Sequence, residues 1–229
     1  MSKAQEKDIS FVKIVHKGED MPENDTPIWL RWAREIQAIS QIGLHFSKNH
    51  HDEINFSRLK EIAAEMVEAH SNQDHSQAQT QFQAQVGYAT VKVDVRGAIV
   101  QNEKILLVQE RQDGKWCLPG GWADVGEMPS EMVAREVWEE SGFEVVPEHL
   151  VGVYDANRGG EPLSFFHAYK IVFICRIIGG QARPSLETSA VDFFDFDQLP
   201  HLSEPRTTRR HLDDIRAHIK NPDQEAVFD

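Results

Sequence analysis

The chain has 229 residues, with 24 Lys or Arg against 37 Asp or Glu, so its formal net charge is −13. This acidic balance argues against a binder of duplex DNA, because affinity for DNA depends on cationic contacts with phosphate. No apolar run is long enough to cross a bilayer, and the first residues lack the apolar segment of a signal peptide. We therefore expect a cytoplasmic protein with no membrane partner, whose two cysteines are reduced and packed.

The N-terminal third of the chain is predicted to be helical after a polar extension at residues 1–26. Thr26 and Pro27 are typical of an N-cap followed by the first helical residue. Apolar residues then recur at helical intervals to about Phe46, namely Trp29, Trp32, Ile36, Ile39 and Gly43. A second helix is indicated by Phe56, Leu59, Ile62, Ala63, Met66 and Val67, with His50 and His51 in the connection.

Two amphipathic helices bury too little surface to stand alone, so their apolar stripes must meet the following domain or another copy of the chain. Between residues 27 and 70 there are five Lys or Arg and six Asp or Glu, which leaves no basic stripe for phosphates. We therefore predict a homodimer formed through these helices rather than a DNA-reading pair. Residues 71–87 are rich in Gln and are interpreted as a linker or a short third helix.

Strands are predicted from Val91 onward. The alternating or apolar segments are residues 91–95, 98–101 and 104–111, with a tight turn at Asn102 and Glu103. Further strands are expected near residues 145–154, 165–178 and 191–196, followed by a helix over 207–220. This order of elements predicts an α+β fold.

The most specific pattern of the sequence lies between these strands. Its fixed positions are Gly121, Glu127, Arg135, Glu136, Val137, Glu139, Glu140, Gly142 and Phe143. Pro129 suits the first turn of a helix and Gly142 its C-terminal stop, so the spacing predicts a helix over 129–141. The apolar residues of that helix, Met132, Val133, Val137 and Trp138, are expected to cover its core side.

Three carboxylates share the other side of this helix, because Glu136, Glu139 and Glu140 fall within an arc of about 100° at helical periodicity. Crowded carboxylates raise one another's pKa unless a positive charge neutralises them. Arg135 is expected to offset the charge of one nearby carboxylate, either Glu127 or Glu136. Oxygen ligands of this kind favour a hard divalent cation, Mg²⁺ or Mn²⁺, over zinc.

The nine fixed positions together resemble the complete signature of the Nudix hydrolases. The resemblance implies a Nudix fold, with a mixed β-sheet sandwiched between helices, and a small N-terminal helical region before it. It also implies that Glu136 and Glu140 are the principal metal ligands and that Glu139 is a ligand or activates water. The carbonyl of Gly121 completes the shell, and Glu127 pairs with Arg135 to orient the helix.

Motifs outside this signature are similar to those of a subgroup that includes CDP-choline and ADP-ribose pyrophosphatases. They are residues 29–38, 92–97 and 118–126. The resemblance implies a helical region and linker over 27–87, and a hydrolase domain over 88–229. It implies cleavage of a nucleoside diphosphate linked to a small group X into a nucleoside monophosphate and phospho-X. The alternatives are a nucleotide-sensing regulator, and a hydrolase of nucleoside triphosphates or RNA 5′ ends.

Several further residues are candidates for the site. Glu187 lies in a loop where many Nudix enzymes place an extra Glu as base or ligand. Arg96 and Arg111 are expected either to meet phosphates or to pair with the excess acids. The remaining candidates for substrate contact are Trp122 and Asp124, which follow Gly121, and His167 in a predicted strand.

Overall fold

The computed structural model describes residues 27–70, 86–124, 126–158 and 167–229. The predicted extension at residues 1–26 and most of the linker over 71–87 lie outside the described residues. In the described ranges no helix is long and apolar enough to cross a membrane.

Two helices form the N-terminal region, α1 over Ile28–Phe46 and α2 over His50–His70. They pack through small buried residues, with Ala33 of α1 and Ala63 of α2 fully buried. Two predictions are wrong in detail. Pro27 is the N-cap rather than the first helical residue, and the two histidines predicted to lie in the connection begin α2 instead.

The outer face of α1 is apolar and exposed. Its largest side chains keep about half of their surface accessible, with exposed fractions of 47% for Ile28, 53% for Trp32, 52% for Ile39 and 63% for Phe46. These four side chains lie on one side of the helix, since their spacing of four and seven residues places them within about 40° of one another. The predicted apolar stripe of α1 is therefore divided between an exposed face and the face that packs on α2. The contact with α2 uses residues such as Leu30 and Ala33, which were not part of the predicted stripe.

Nine strands and two further helices make up the rest of the described chain. The strands are β1 Lys92–Ala98, β2 Val100–Gln101, β3 Lys104–Glu110, β4 Trp116–Cys117, β5 Gly120–Trp122, β6 Phe143–Asp155, β7 Ala168–Gly180, β8 Thr188–Asp195 and β9 Val227–Phe228. The helices are α3 over Pro129–Ser141 and α4 over Arg209–Lys220. Gly142 ends α3 with a φ of +79°, which confirms the predicted stop.

The strands form two sheets. The larger one has the order β5–β1–β7–β6–β9 and is mixed, because β1 pairs with β7 in parallel and β6 pairs with β7 antiparallel. In the smaller sheet β3 pairs antiparallel with β2, β4 and β8. Asn102 and Glu103 turn between β2 and β3 with φ of +52° and +62°, as predicted. The mixed sheet between helices confirms the expected fold, and the second sheet adds to it.

Helices α3 and α4 cover two separate apolar cores. Met132, Val133 and Val137 of α3 are fully buried with Leu106 of β3. In contrast, the predicted core residue Trp138 is 46% exposed. On the other side of the sheets, α4 contributes to a core that contains Ile105, Leu107, Val151, Val172, Leu212 and Ile215.

Candidate active site

An open cleft of about 1910 Å³ lies over the glutamate face of α3. One wall is the glycine-rich loop over residues 120–124, and the floor carries Glu136, Glu139 and Glu140. The other walls are residues 90–93, the turn after β3, the loop over 183–187, and Pro205 and Arg206 before α4. The fold therefore brings the signature helix together with four segments that are distant from it in sequence.

The three predicted glutamates sit at different depths in this cleft. Glu140 is buried, and its Oε2 accepts a hydrogen bond of 2.9 Å from the Gly120 N–H. The side chain of Glu136 is 15% exposed and that of Glu139 is 46% exposed. Exposure increases from Glu140 to Glu136 to Glu139, which is the order of these residues around the helix axis.

The glycine-rich loop can approach α3 because it has no side chain at the point of contact. A Cβ on Gly121 would lie 3.1 Å from Oε2 of Glu136, which is tighter than ordinary packing. Gly120 adopts a φ of +142°, a backbone conformation that L side chains rarely adopt. Gly120 is required for both conformation and space, because a Cβ there would also lie 2.0 Å from the Val95 carbonyl oxygen, whereas a Cβ at Gly121 would require the Glu136 carboxylate to shift by a few tenths of an ångström.

Burial makes the inner carboxylates hard to ionise. It raises the pKa of Glu140 to about 8, although the charge of Arg96 and the Gly120 N–H partly offset the effect. Burial also raises the pKa of Glu136, with the Arg135 charge opposing it. A cation bound between these groups would keep both ionised at neutral pH.

Arg135 forms hydrogen bonds with several carboxylates in the exposed part of the cluster. Its Nε and Nη2 donate to the two carboxylate oxygens of Glu127 at 2.9 and 2.7 Å. Its Nη1 donates to Glu136 at 3.0 Å and to Glu139 at 2.8 Å. The predicted choice between Glu127 and Glu136 as its partner is thus resolved in favour of both, and Asp124 adds a weaker contact at 3.3 Å.

The carboxylate oxygens of Glu136, Glu139 and Glu140 fit a hard divalent cation. Within the described residues, however, no three acidic, His or Cys side chains converge as a ready-made metal site. Arg135 donates to Oε1 of Glu136 and to Oε2 of Glu139, and the second oxygen of each carboxylate lies outside these hydrogen bonds. A cation that took both oxygens of either carboxylate would displace Arg135, whereas one that took the second oxygen would not.

Glu187 lies at the cleft in a loop that is fastened at several points. The Ser185 hydroxyl accepts from the backbone N–H of Glu187 at 3.0 Å, and the Thr188 hydroxyl donates to the Glu140 carbonyl at 2.8 Å. Arg111 donates from its backbone N–H to the Glu187 carbonyl at 2.9 Å and from Nη2 to the Ser185 carbonyl at 3.2 Å. The fold thus brings Glu187 to the signature helix although 47 positions separate it from Glu140.

Only some of the residues predicted to contact substrate lie in the cleft. Arg96, Trp122 and Asp124 line the cleft, whereas Arg111 and His167 are outside its lining. The Arg96 side chain is buried and forms an ion pair with Asp94 at 2.8 Å. His167 Nε2 lies 3.2 Å from Oδ1 of Asp155, away from the glutamates.

Several cleft residues were not identified as site candidates from the sequence. Glu110, Trp138, Arg183 and Arg206 all line it. The Arg183 guanidinium lies 5.7 Å from the centre of the Trp138 ring. Nothing in the local spacing marks Glu110 or Arg206, because 96 positions separate them and only the fold brings their side chains to 3.3 Å.

A carboxylate helix behind a glycine-rich loop, set in this mixed-sheet fold, defines a class of hydrolases that act on phosphoric anhydride bonds. The family model described as the NUDIX domain matches residues 91–215, and the chain belongs to the Nudix hydrolase family. A second family model, described as a UDP-X-like N-terminal oligomerisation domain, matches residues 27–82. Both parts of the predicted resemblance are confirmed.

Relatives and solved structures agree with this assignment. The chain is 38% identical over 201 residues to the putative ADP-ribose pyrophosphatase YjhB of Bacillus subtilis, which covers 88% of this chain and 97% of that protein. The crystal structure of a UDP-X diphosphatase is 32% identical and covers 88% of this chain and 98% of its own, with a TM-score of 0.57. An ADP-ribose pyrophosphatase from Streptococcus suis is 38% identical over 61% of this chain and all of its own, also with a TM-score of 0.57. The protein is therefore a hydrolase of pyrophosphate bonds.

Proposed function

We propose that the protein is a Mg²⁺-dependent pyrophosphohydrolase of nucleoside diphosphates linked to a small group X, with a nucleoside monophosphate and phospho-X as products. The observation that carries this proposal is the cluster of Glu136, Glu139 and Glu140 at the floor of an open cleft. The relatives named for UDP-X and ADP-ribose hydrolysis support the substrate class, because two of them match most of the chain.

Glu136, Glu139 and Glu140, with the Gly121 carbonyl, would hold the cation. Bound there, Mg²⁺ supplies positive charge to the diphosphate and to the leaving phosphate. Mn²⁺ has the same preference for oxygen ligands and is expected to substitute for it. Arg135 and Glu127 orient these carboxylates through the paired hydrogen bonds between their side chains.

Glu187 is the proposed acceptor for the proton of the attacking water. Its side chain is exposed at the cleft, and its loop is fixed by Ser185, Thr188 and Arg111. A carboxylate held on a fastened loop can keep one orientation while the substrate changes. Trp122 and Asp124 line the cleft and are proposed to contact the substrate. Arg96 is proposed to act indirectly, because it pairs with Asp94 and its charge favours the ionised form of Glu140.

The first experiment is a product assay with Mg²⁺ on UDP-glucose, ADP-ribose, CDP-choline, dinucleoside polyphosphates and nucleoside triphosphates. We expect a nucleoside monophosphate from at least one of the diphosphate-linked compounds. Glu140→Gln should lower kcat by about 10³-fold, because loss of a metal ligand removes several kcal/mol of transition-state stabilisation. Its melting temperature should not fall, since the replacement keeps the shape and an acceptor for the Gly120 N–H.

The matched control is Glu144→Gln, which removes a carboxylate from β6 outside the cleft lining. Equal activity of Glu140→Gln and the wild type would refute the proposed site. Hydrolysis of nucleoside triphosphates alone would refute the proposed substrate class. Binding of a nucleotide without turnover would instead favour the regulatory alternative.

We further infer that the protein is a cytoplasmic homodimer whose helical region over 27–87 precedes a hydrolase domain over 88–229. The exposed face of α1 supports the dimer, as does the match of residues 27–82 to an oligomerisation domain. Cys117 and Cys175 are both free and buried, which suits a reducing compartment.

A further inference from the structure

Arg206 lines the cleft from the loop before α4. Its side chain is 21% exposed, and its Nε lies 3.3 Å from Oε1 of Glu110. Its Nη1 contacts Asp113 at 3.2 Å and Ser203 at 2.9 Å, while its Nη2 donates to the Gln112 side chain at 2.8 Å. The guanidinium is thus held in one plane by partners on three sides.

The backbone that carries Arg206 is fastened from below as well. The Lys170 ammonium, which is almost wholly buried, donates to the carbonyls of Pro205 and Arg206. The Leu118 N–H donates to the Thr207 hydroxyl at 2.9 Å. A buried lysine is costly unless its contacts are needed, so this arrangement indicates a loop whose position matters.

The charge of this cluster is unsuited to phosphate. Glu110 and Asp113 are balanced by the charges of Arg206 and of Lys170 beneath it, so a diphosphate placed here meets no excess of positive charge. A neutral ligand with hydrogen-bonding groups suits the cluster better. Oε1 of the buried Glu110 pairs with Arg206 and accepts from the Cys117 thiol, so its Oε2 is the acceptor for a ligand. Gln112 keeps its amide donors, and four contacts use four of the five N–H donors of the Arg206 guanidinium.

We propose that Arg206 and Glu110, with Gln112 beside them, bind the hydrogen-bonding edge of the nucleobase and determine which base the enzyme accepts. The edges of the nucleobases present donors and acceptors in different orders, so a carboxylate next to a guanidinium fits some bases better than others. This inference rests on the proposed function, because the diphosphate must occupy the glutamate face of the cleft. It assigns two parts of the cleft different tasks, with chemistry on α3 and base selection at the loop before α4.

The test compares UDP-glucose, CDP-glucose, ADP-glucose and GDP-glucose, which share X and differ only in the base. We expect the wild type to discriminate among them in kcat/KM. Arg206→Gln should reduce the ratio between the highest and the lowest of the four kcat/KM values by about 10-fold or more. The reason is that a site built for hydrogen bonds rejects a base that leaves them unmade. The loss should appear mainly in KM, since the base is remote from the reacting phosphorus.

Glu110→Gln is the second variant, because it exchanges an acceptor for a donor at constant size and should change the order of the four substrates. The control is Arg216→Gln, whose side chain pairs with Asp197 at 2.7 and 2.9 Å outside the cleft lining. This control should leave all four values unchanged. Melting temperatures show whether each variant is folded, and Arg206→Lys replaces Arg206→Gln if the latter is not.

An equal fall of kcat/KM on all four substrates would overturn the proposal, because it would indicate a phosphate contact or a structural role. Unchanged ratios in both variants, or a wild type that does not discriminate, would overturn it too. If the wild type hydrolyses none of the four substrates, the proposed function is wrong for this substrate class, and the base site is tested by binding instead. The dissociation constants of UMP, CMP, AMP and GMP are then compared. A base preference that Arg206→Gln abolishes would support the inference, and a wild type without any base preference would overturn it.

Discussion

Arg135 shows how one side chain sets the state of the whole carboxylate cluster. It donates to Glu127, Glu136 and Glu139 at 2.7 to 3.0 Å. Its hydrogen bonds lower the pKa of Glu127, which therefore remains ionised as an anchor. The same guanidinium holds the oxygens proposed as metal ligands, so it both orients them and competes with the cation.

Arg135→Ala is expected to weaken Mg²⁺ affinity by about 10- to 100-fold, because orientation outweighs competition when the ligands are attached to a rigid helix. The measurement is kcat as a function of Mg²⁺ concentration. Arg58→Ala is the control, since Arg58 also contacts two glutamates, Glu61 and Glu65, but on α2 outside the cleft lining. An unchanged or tighter Mg²⁺ dependence would show that Arg135 mainly competes with the metal.

His211 is expected to make stability depend on pH. Its pKa lies well below 6.5, first because it is buried and then because Lys170, Arg210 and Arg96 are positively charged. Its Nδ1 accepts a hydrogen bond from the Thr208 N–H at 3.1 Å, which requires an unprotonated nitrogen. The unfolded chain therefore binds a proton below pH 6.5 that the folded chain does not.

The free energy of unfolding should accordingly fall as the pH drops below about 6.5, with this residue contributing up to about 1.4 kcal/mol per pH unit. Urea unfolding between pH 5 and 8 measures it. His211→Gln should flatten the slope, whereas His149→Gln, which replaces an exposed histidine, should not. Equal slopes in the two variants would contradict the assignment.

At the scale of elements, the position of α3 depends on how closely it approaches β1. A Cβ on Gly97 would lie 2.5 Å from Cγ2 of Val137, which is itself fully buried. This contact fixes the height of the helix above the sheet, and with it the distance from its glutamates to the glycine-rich loop. The C-terminal end of α3 is fixed separately, where the Ser141 carbonyl accepts from the Arg183 N–H at 2.8 Å.

Gly97→Ala is expected to lower the free energy of unfolding by about 1–3 kcal/mol through overpacking, and to lower kcat as α3 is displaced. Val137→Ala alone should cost about 2 kcal/mol by leaving a cavity. Since each change relieves the other, the double variant should be more stable than the sum predicts by about 1 kcal/mol. Urea denaturation of the four proteins tests this, and strict additivity would refute the contact.

At the scale of the whole molecule, a polar contact joins the helical region to the hydrolase domain, since Arg34 donates to the Asn157 side chain at 2.8 Å. Gln41 also donates to the carbonyl of Gly87, the residue before the hydrolase domain, at 3.1 Å. Burial lowers the pKa of Arg34 to about 10, although the charge of Asp155 opposes the effect. The inner face of α1 therefore packs on α2 and its flank on the hydrolase domain, which leaves the outer face exposed as the proposed dimer interface.

Trp32→Glu is expected to convert the proposed dimer to a monomer, because it places a charge within the exposed apolar face of α1. Light scattering coupled to size exclusion measures the mass. Arg31→Glu is the control, since it introduces the same residue on the same helix about 100° away from Trp32. A wild type that is already monomeric, or dimeric Trp32→Glu protein, would contradict the proposed interface.

The sequence by itself determined the chemistry and the helix that carries it. The spacing of Glu136, Glu139 and Glu140 places them on one face, and Pro129 and Gly142 bound the helix, because helical periodicity and capping are local properties. The turn at Asn102 and Glu103 was predictable for the same reason. Local patterns failed for Trp138, which was expected to cover the core and is exposed instead.

Only the tertiary structure decided which distant residues share the cleft. Arg206 and Glu110 meet because β3 and the loop before α4 converge, and Arg96 turns to a buried Asp94 rather than to open solvent. Arg111 and His167 were plausible substrate contacts by residue type, yet the fold places both outside the cleft lining. The periodicity of one segment carries no information about which other segment it faces, and that relation arises from packing of the two sheets against α3 and α4.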